Sequence, residues 1–374
     1  MPAVCNVRAT PVRRANGRKT YVVVDDDGAI IEDIDDFLAY LRGNANSENT
    51  IEAYARHLAL LFRWLTIRGS HWEDLTLQGL SAFAMDLRDG SLRSLQRVGT
   101  YRPQTERKRR SCEAVMAAVY SFLEYWRNEG QRGPADLTLY RNSSYVGNST
   151  QAFLSHVESR RPQKERLIKI RGPKPDLPRI IDFEDDFALL LAAANTHRDR
   201  ALLSAMYDGG VRIGQALGLK HEDLDMARKR IWIQRREDNP NDAISKQRTR
   251  FPLSMPDRFF TLYGRSLVDE QLMLGIDSDF VFVNLAPGYR GAPMSAPNAG
   301  QIIAGISQRA GVRLTPHTLR HTHGTALARD GWTQPQIAER LGQSQPSSAD
   351  VYIHLAADHI ESKYQSSDLA KAQA

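Results

Sequence analysis

Three segments of the sequence carry side chains that could act together on an anion. In LTPHTLRHTHGTAL, Thr315 is a good N-cap and Pro316 a good first helical residue. His317 and Arg320, three residues apart, then lie on one face of a helix near its positive end. An imidazole and a guanidinium side by side at that end suit an anion. Taken alone, the segment has a simpler explanation: His317 caps or packs against the helix, and Arg320 forms an ion pair with a surface acid.

A second cation lies in the segment GGVRIGQALGLKHEDLD. Arg212 follows a two-glycine break and starts an apolar helix, so we expect its guanidinium to be half-buried and held in place. A charge kept there needs an anionic partner, which could be a carboxylate such as Asp223 or a bound phosphate. Taken by itself, the segment favours the carboxylate.

A candidate nucleophile lies in the segment ERLGQSQPSSADVYIHLAADH. Tyr352 follows a predicted helix end at Gly342 and a break that begins at Pro346. A tyrosine between Val351 and Ile353 most often belongs to a hydrophobic core. By itself it predicts packing, and only its position relative to the other segments favours chemistry.

The order and spacing of these segments resemble the tyrosine recombinase and phage integrase family. In that family an arginine is followed by a hairpin lysine, by His-x-x-Arg, by a further polar residue and by a tyrosine. The corresponding residues of this chain are Arg212, Lys246, His317, Arg320, Gln343 and Tyr352. The phrases GVRIGQALGLKHEDLD, HTLRH and the block ending VYIHL match family sequence over roughly residues 180 to 360. The earlier pattern SENTIEAYARHLALLFRWL resembles the family's core-binding domain.

The resemblance implies a reaction that needs neither a metal nor a nucleotide cofactor. Tyr352 would attack a DNA phosphorus to form a 3′-phosphotyrosine, and Lys246 would protonate the leaving 5′-oxygen. Arg212, His317 and Arg320 would bind the charge that develops on the phosphate oxygens. Attack by a partner strand then reverses the step, and strands are exchanged through a Holliday junction. The expected protein is therefore a site-specific recombinase of integrase or transposase type.

Two positions depart from the family's pattern, and the lysine assignment has alternatives. Lys220 and Lys229 also lie near the predicted hairpin and compete with Lys246. The family usually has His or Trp where Gln343 stands, and an amide donates a hydrogen bond but does not titrate near neutral pH. Gln215 stands where many members carry an acid that orients the first arginine.

Helical periodicity and breaks divide the chain into segments. From Ser47 to Arg68 apolar residues recur at helical spacing, with Ser47 or Thr50 as the cap and Gly69 as the stop. Similar patterns occur over residues 34–41, 77–87 and 112–126. We predict a mainly α protein with a small β-sheet, in which a helical core-binding domain precedes an α+β catalytic domain. The predicted segments are a basic N-terminal arm or tail (1–29), the helical domain (30–130), a basic Pro/Gly-rich linker (131–178) and the catalytic domain with a C-terminal tail (179–374).

The catalytic domain is predicted to interrupt its helices with a short β element. Helices are expected over residues 182–194 and 199–208, the second ending at Gly209 and Gly210. The strand-like runs RIWIQRRE and ISKQRTRFPL follow, separated by turn-forming residues.

Composition restricts the setting and the partners. A net charge of +6 permits a polyanionic partner, and the two cysteines, Cys5 and Cys112, suggest neither a disulfide framework nor a cysteine zinc site. The basic start leads to no apolar signal core, and no apolar stretch is long enough for a membrane span, so we expect a protein of the bacterial cytoplasm or nucleoid. The resemblance implies double-stranded DNA sites as partners, with a homo-tetramer on DNA and a monomer or weak oligomer when free.

Three alternative interpretations remain at this stage. His317, His321 and His323, with His354, could form a zinc site, although no carboxylate completes an HExxH pattern. The protein could also be a catalytically impaired DNA-binding member of the same fold. A type IB topoisomerase would use related chemistry without choosing a sequence. Among recombinases, the sequence leaves phage integration, transposition and chromosome dimer resolution open.

Overall fold

The structure, a computed structural model, divides into two compact units, Met1–Pro175 and Asp176–Ala374. It describes residues 6–15, 17, 19–94, 106–130, 133–134, 140–143, 163–170, 177–182, 184–236, 239–241, 243 and 250–365. Throughout these ranges, no helix combines the length and apolarity needed to cross a bilayer. The prediction of a mainly helical protein with small sheets is confirmed.

The first unit is built around helices, and the sequence pattern predicts all of those described except the short one at residues 91–94. They are α1 (Glu32–Gly43), α2 (Glu48–Ile67), α3 (Leu77–Arg88), α4 (Ser91–Ser94) and α5 (Arg109–Gly130). The Ser47 hydroxyl accepts the Thr50 N–H at the start of α2, and Gly69, at φ +61°, follows its end. Phe37, Trp72 and Phe122 make edge-on ring contacts in the core between these helices.

A β-hairpin, which we did not predict, precedes these helices. Strands β1 (Arg8–Arg13) and β2 (Lys19–Val24) are antiparallel, and Arg13 lies opposite Lys19 in the last pair of the register. Val7, Tyr21 and Val23 belong to the hydrophobic core of the helical unit. The structure therefore differs from the expected arm or tail, because the apolar run ending at Val24 is buried against the helices.

The predicted linker also contains structure. Strand β3 (Tyr140–Ser143) pairs with β4 (Gln163–Arg166), and Ile168 and Ile170 pack against the core of the first unit. The Ile168 N–H donates to the Tyr120 hydroxyl at 3.1 Å. This end of the segment is therefore fixed to the helical unit. The sequence of residues 91–110, SLRSLQRVGTYRPQTERKRR, is a basic stretch between two predicted helices that could hold a DNA backbone. It begins with α4, and its residues 95–105 lie outside the described residues.

The second unit combines helices with a three-stranded antiparallel sheet in the order β5-β6-β7. Its elements are α6 (Glu184–Ala193), α7 (His197–Asp208), α8 (Ile213–Leu217), β5 (Leu224–Asp225), β6 (Arg230–Ile233), β7 (Phe251–Ser254), α9 (Asp257–Arg265), α10 (Ala296–Ala310), α11 (Pro316–Arg329), α12 (Gln334–Arg340) and α13 (Asp350–Gln365). Helix α7 is buried along most of its length, and α9 and α11 pack against it.

The start of α7 is fixed by a buried ion pair and an acceptor from another segment. Glu270 accepts the backbone N–H groups of His197 and Arg198, which satisfies donors that the first helical turn leaves open. The Arg198 guanidinium contacts Asp199 at 2.7 Å and donates to the Val283 carbonyl at 2.9 Å. This anchoring fixes the helix that leads into the candidate site.

Candidate active site

The chain turns tightly after α7 and delivers Arg212 to the start of α8. Gly210 has φ +61°, and a Cβ atom there would lie 2.5 Å from a Leu341 side-chain carbon and 2.7 Å from the His323 ring. Only a glycine fits so close an approach without moving its neighbours. The next residues place Arg212 at the N-cap of α8, as the sequence predicts. Gln215 accepts the Arg212 backbone N–H at 2.9 Å, so it fixes the main chain of that residue.

The segment taken by itself favoured an ion pair between Arg212 and a carboxylate such as Asp223. This interpretation is wrong, because Asp223 binds other residues. Asp223 is 1% exposed and accepts from Arg236 at 2.7 Å, from the Gln234 amide at 2.6 Å and from the Lys220 N–H at 2.9 Å. Among the residues that the structure describes, no carboxylate is within ion-pair distance of Arg212. Its half-buried guanidinium is therefore available to an external anion.

Arg320 is buried and held by two carbonyl groups from distant parts of the chain. Thr315 caps α11 by accepting the Thr318 N–H, so the predicted start of this helix is correct. One terminal nitrogen of Arg320 donates to the Gly210 carbonyl at 2.6 Å, and the other donates to the Leu341 carbonyl at 2.9 Å. A guanidinium has five N–H donors, so the two carbonyls do not exhaust it. Arg320 is thus fixed in orientation while donors remain for a ligand.

The two arginines lie close enough to affect each other's charge. Burial and, to a smaller extent, the neighbouring charge of Arg212 lower the pKa of Arg320 to about 10, and the Tyr352 hydroxyl acts in the opposite direction. Burial likewise lowers the pKa of Arg212, again opposed by Tyr352. Both groups are still cationic at neutral pH. Two like charges held together in a partly dry pocket are stabilised by an anion.

Tyr352 brings its hydroxyl group to this pair of arginines. It lies on α13 and is only 2% exposed, packed against Ile337, Leu341 and Ala349. Its hydroxyl is hydrogen-bonded to Arg320 and accepts from the Gln343 amide nitrogen at 3.4 Å. In the sequence, a position in the core and a position in the active site were alternatives for this tyrosine. In the structure its ring packs in a hydrophobic cluster while its hydroxyl reaches the pocket of the arginines.

Gln343 lies beside the tyrosine at the end of α12. Gly342, at φ +59°, ends the helix and turns the chain so that the amide of Gln343 faces Tyr352. The amide oxygen of Gln343 is buried and has no hydrogen-bond partner among the described residues. This acceptor can be satisfied only by a rearrangement or by a donor that enters the site.

Three histidines of α11 surround the pocket in different environments. His317 is exposed in the first turn, with its ring 6.3 Å from that of His321. The His321 ring lies 5.7 Å from the Tyr352 ring, and burial lowers the pKa of His321 to about 4. Burial lowers the pKa of His323 to about 3, and this ring is hydrogen-bonded to the backbone of Tyr207. Only His317 is therefore placed to meet an anion from solvent.

The hairpin lysine lies outside the described residues. The two competing lysines are described, and each contacts a carboxylate: Lys220 is 3.5 Å from Asp279, and Lys229 is 3.1 Å from Asp257. Neither contact involves a residue of the arginine and tyrosine pocket. Lys246 stays the predicted general acid on the sequence argument alone.

The histidines do not form the zinc site that we considered. Over the ranges given above, no three His, Cys, Asp or Glu side chains come together as a metal site requires. His317, His321 and His323 are spread along α11, and His354 is exposed on α13. The proximity of the His321 ring to the Tyr352 ring has no signal in the sequence beyond the position of His321, one helical turn from His317 on the same face.

Two helical units, with two arginines facing a tyrosine in the second, match the architecture of the tyrosine recombinases. Sequence profiles agree: residues 176–359 match the phage integrase family, and residues 34–130 match the phage integrase N-terminal SAM-like domain. The chain belongs to the phage integrase family, whose members are DNA strand-transferring enzymes.

Individual relatives and solved structures agree with this membership. Transposase A of transposon Tn554 from Staphylococcus aureus is 29% identical over 92% of this chain and 93% of its own length. Tyrosine recombinase XerD of Listeria monocytogenes is 25% identical over 90% of this chain and 97% of its own length. The fold resembles that of XerH site-specific recombinase bound to a palindromic difH substrate, with a TM-score of 0.58, 16% identity, and coverage of 86% of this chain and 80% of that one. A lambda integrase dimer bound to a core site gives a TM-score of 0.55 at 12% identity, covering 86% of this chain and 94% of that one.

Proposed function

We propose that this protein is a site-specific DNA recombinase that breaks and rejoins strands through Tyr352. The observation that supports it most is that Arg212, Arg320 and Tyr352 lie in one partly buried pocket, near enough to affect one another's charge. The cations can bind the phosphate oxygens while the phenol attacks phosphorus, so catalysis depends on preorganised charge. His317, exposed at the start of α11, adds a donor as the phosphate enters.

The proposed reaction conserves the phosphodiester bond energy. The Tyr352 oxygen forms a bond to phosphorus, and the bond from phosphorus to the 5′-oxygen breaks, with Lys246 giving that oxygen a proton. A 5′-hydroxyl of the partner duplex then attacks the 3′-phosphotyrosine, and the tyrosine leaves. Repetition on the second pair of strands resolves a Holliday junction.

Recombination of this kind requires several protomers on DNA. We infer that the chain is a monomer or weak oligomer when free and a homo-tetramer when it brings two duplex sites together. Its likeness to the Tn554 transposase over nearly the full length of both chains favours transposon movement over dimer resolution.

Trapping the covalent intermediate tests the proposal. The substrates are nicked duplexes whose sequence is taken from the DNA on either side of the gene. Cleavage next to the nick releases a short fragment that carries the 5′-hydroxyl, so the strand cannot be rejoined. The protein then stays covalently attached to the 3′ end. The parent chain should form a denaturant-resistant adduct, and Tyr352→Phe should bind the same duplexes and form none. DNA binding by the parent without any adduct would instead support the binding-only interpretation. Relaxation of plasmids that lack these sequences would indicate a type IB topoisomerase.

A further inference from the structure

Side chains from α11 and α12 bind the backbone at the end of α7. The last carbonyls of a helix have no partner within it, and they carry its negative partial charge. The His323 ring is hydrogen-bonded to the Tyr207 backbone, and Arg340 donates to the Asp208 carbonyl at 3.4 Å. Arg320 donates to a carbonyl of the turn that follows. The end of α7 and the turn after it are therefore held by three side chains from the two later helices.

Arg340 also connects this helix end to the sheet. The nitrogen that donates to the Asp208 carbonyl also donates to the Ser254 carbonyl, at the end of β7, at 2.9 Å. Arg340 lies in the last turn of α12 and is half-buried, and burial lowers the pKa of its guanidinium. One side chain thus joins the ends of α7, β7 and α12.

The turn after α7 has no room to shift while these ends stay in place. A Cβ atom on Gly209 would lie 2.8 Å from the Met255 sulfur, and one on Gly210 would lie 2.5 Å from a Leu341 side-chain carbon. Met255 directly follows β7, and Leu341 directly follows Arg340 along the chain. The two residues that confine the turn are therefore neighbours of the ends that Arg340 ties together.

The position of this turn determines the position of Arg212. Arg212 begins α8 two residues after Gly210, and its main-chain N–H is bound by Gln215. Its guanidinium contacts no carboxylate that the structure describes, so no ion pair keeps it in place when its main chain moves. Arg320, in contrast, has two carbonyls bound to its guanidinium. Arg212 therefore depends on the turn for its position more than Arg320 does.

We propose that Arg340 is a positioning residue for Arg212, which it fixes through the turn after α7. The inference rests on the proposed function, because the reaction that it supports is strand cleavage by Tyr352. Arg212 binds the phosphate, and Arg340 keeps the main chain of Arg212 where the phosphate requires it. A displacement near 1 Å can cost about 10²-fold in rate, so loss of Arg340 should slow cleavage although it removes no contact to DNA.

Cleavage rates of single and double variants test this role. Arg340→Met keeps an apolar stem of similar length but removes the donors, and single-turnover cleavage of a nicked duplex should be about 10- to 100-fold slower than with the parent. DNA affinity should change little. In Arg212→Ala there is no guanidinium left to position, so adding Arg340→Met should cause almost no further loss. The double variant should therefore cleave at nearly the rate of Arg212→Ala alone.

A conservative variant and a folding control accompany this cycle. Arg340→Lys carries an ammonium group that can donate to the same two carbonyls, so it should recover part of the rate lost in Arg340→Met. Thermal melting shows whether each variant is folded at the assay temperature. If Arg340→Met is not, Arg340→Gln replaces it, with the same order of rates expected.

Arg200 provides a matched control in the same unit. It is also half-buried and also donates to two carbonyls at a helix end, those of Leu191 at 3.0 Å and Ala194 at 2.8 Å. These carbonyls belong to the end of α6, which carries none of the candidate site residues. Any loss of rate in Arg200→Met should therefore be the same with and without Arg212→Ala.

The outcomes separate this inference from the proposed function. If the parent forms the covalent adduct but the losses of Arg340→Met and Arg212→Ala multiply in the double variant, the positioning role is wrong and the recombinase proposal stands. A parent-like cleavage rate for Arg340→Met would have the same meaning. Absence of any adduct from the parent would overturn the recombinase proposal, and the positioning role that rests on it would fall with it.

Discussion

The ring of Tyr352 lies flat against the backbone of Gly324, so close that a Cβ on this glycine would be 2.7 Å from a ring carbon. Gly324 is one helical turn beyond Arg320 on α11. The same helix therefore carries Arg320 and the surface on which the candidate nucleophile, Tyr352, rests. The depth at which the ring sits depends on the absence of a side chain at this position.

Gly324→Val should displace the tyrosine and slow cleavage. A branched side chain overlaps the ring and pushes the Tyr352 hydroxyl away from the arginines, and a displacement near 1 Å can cost about 10²-fold in rate. Single-turnover cleavage of a nicked duplex measures the effect, and DNA affinity should change little. Gly300→Val on α10 is the control, because a Cβ there meets nothing within 4 Å. Equal cleavage rates for Gly324→Val and Gly300→Val would show that the position of the Tyr352 ring does not affect cleavage.

Arg212→Ala and Arg320→Ala should both slow cleavage but differ in stability. Loss of one oxyanion donor typically costs about 10²- to 10³-fold in rate, and each arginine is expected to follow this. Arg320→Ala also leaves the Gly210 and Leu341 carbonyls without their donor, at about 1–3 kcal/mol for each buried group. The free energy of unfolding, measured in urea, should therefore be lower for Arg320→Ala than for the parent and nearly unchanged for Arg212→Ala. A near-native cleavage rate for either variant would remove that arginine from the site.

Substitution of Gln343 should introduce a pH dependence that the amide cannot provide. In Gln343→His the protonated imidazole donates to phosphate more strongly than the neutral ring, so cleavage should accelerate as the pH falls through about 6.5. Gln343→Glu has the same shape but carries a negative charge, and it should be slower than the parent at neutral pH. The measurement is the ratio of variant to parent cleavage rate across the pH range. A flat ratio for the histidine variant would place residue 343 away from the phosphate.

His323 should make the second unit sensitive to acid. Burial holds the pKa of His323 at about 3 in the folded chain, below the ordinary value of 6.5. Between these pH values the unfolded chain takes up a proton that the folded chain refuses. The stabilisation is therefore complete above pH 6.5 and is lost progressively as the pH falls towards 3, by at most about 1.4 kcal/mol per pH unit.

His323→Phe should remove this contribution. The variant's free energy of unfolding should fall less steeply than the parent's as the pH is lowered from 6.5, as denaturant titrations at several pH values would show. His354→Phe, at an exposed position on α13, serves as the control and should keep the parent slope. Parallel pH profiles for parent and His323→Phe would contradict the effect of burial.

Local signals in the sequence predicted the elements that present the site. Ser47 and Thr315 are N-caps as expected, and Arg212 starts its helix after the two-glycine break. These features depend on neighbours within a few residues, which is why composition and spacing reveal them. The candidate residues of the site came from the family resemblance, which relates distant segments in a way that periodicity cannot.

Long-range partners were not predictable from the sequence. Arg320 donates to the carbonyl of Gly210, more than a hundred residues earlier, and backbone carbonyls carry no sequence signature. Proximity along the chain made Asp223 one possible partner of Arg212, whereas in the folded chain Asp223 accepts from Arg236. The hairpin was not predicted because its second strand is a short continuous apolar run, Tyr21 to Val24, without the alternation that marks a half-buried strand.

The two carbonyls bound by Arg320 have a consequence for when the protein can cut DNA. One precedes α8 and the other follows α12, so a single side chain joins the segment that leads to Arg212 with the segment that leads to Tyr352. A chain that ends before residue 341 lacks one of the two carbonyls that hold Arg320, and its two segments are then not joined by this side chain. The segment that follows α12 must therefore fold onto the rest of the second unit before Arg320 is fully held, so we expect the ability to cut DNA to appear only once this unit is complete.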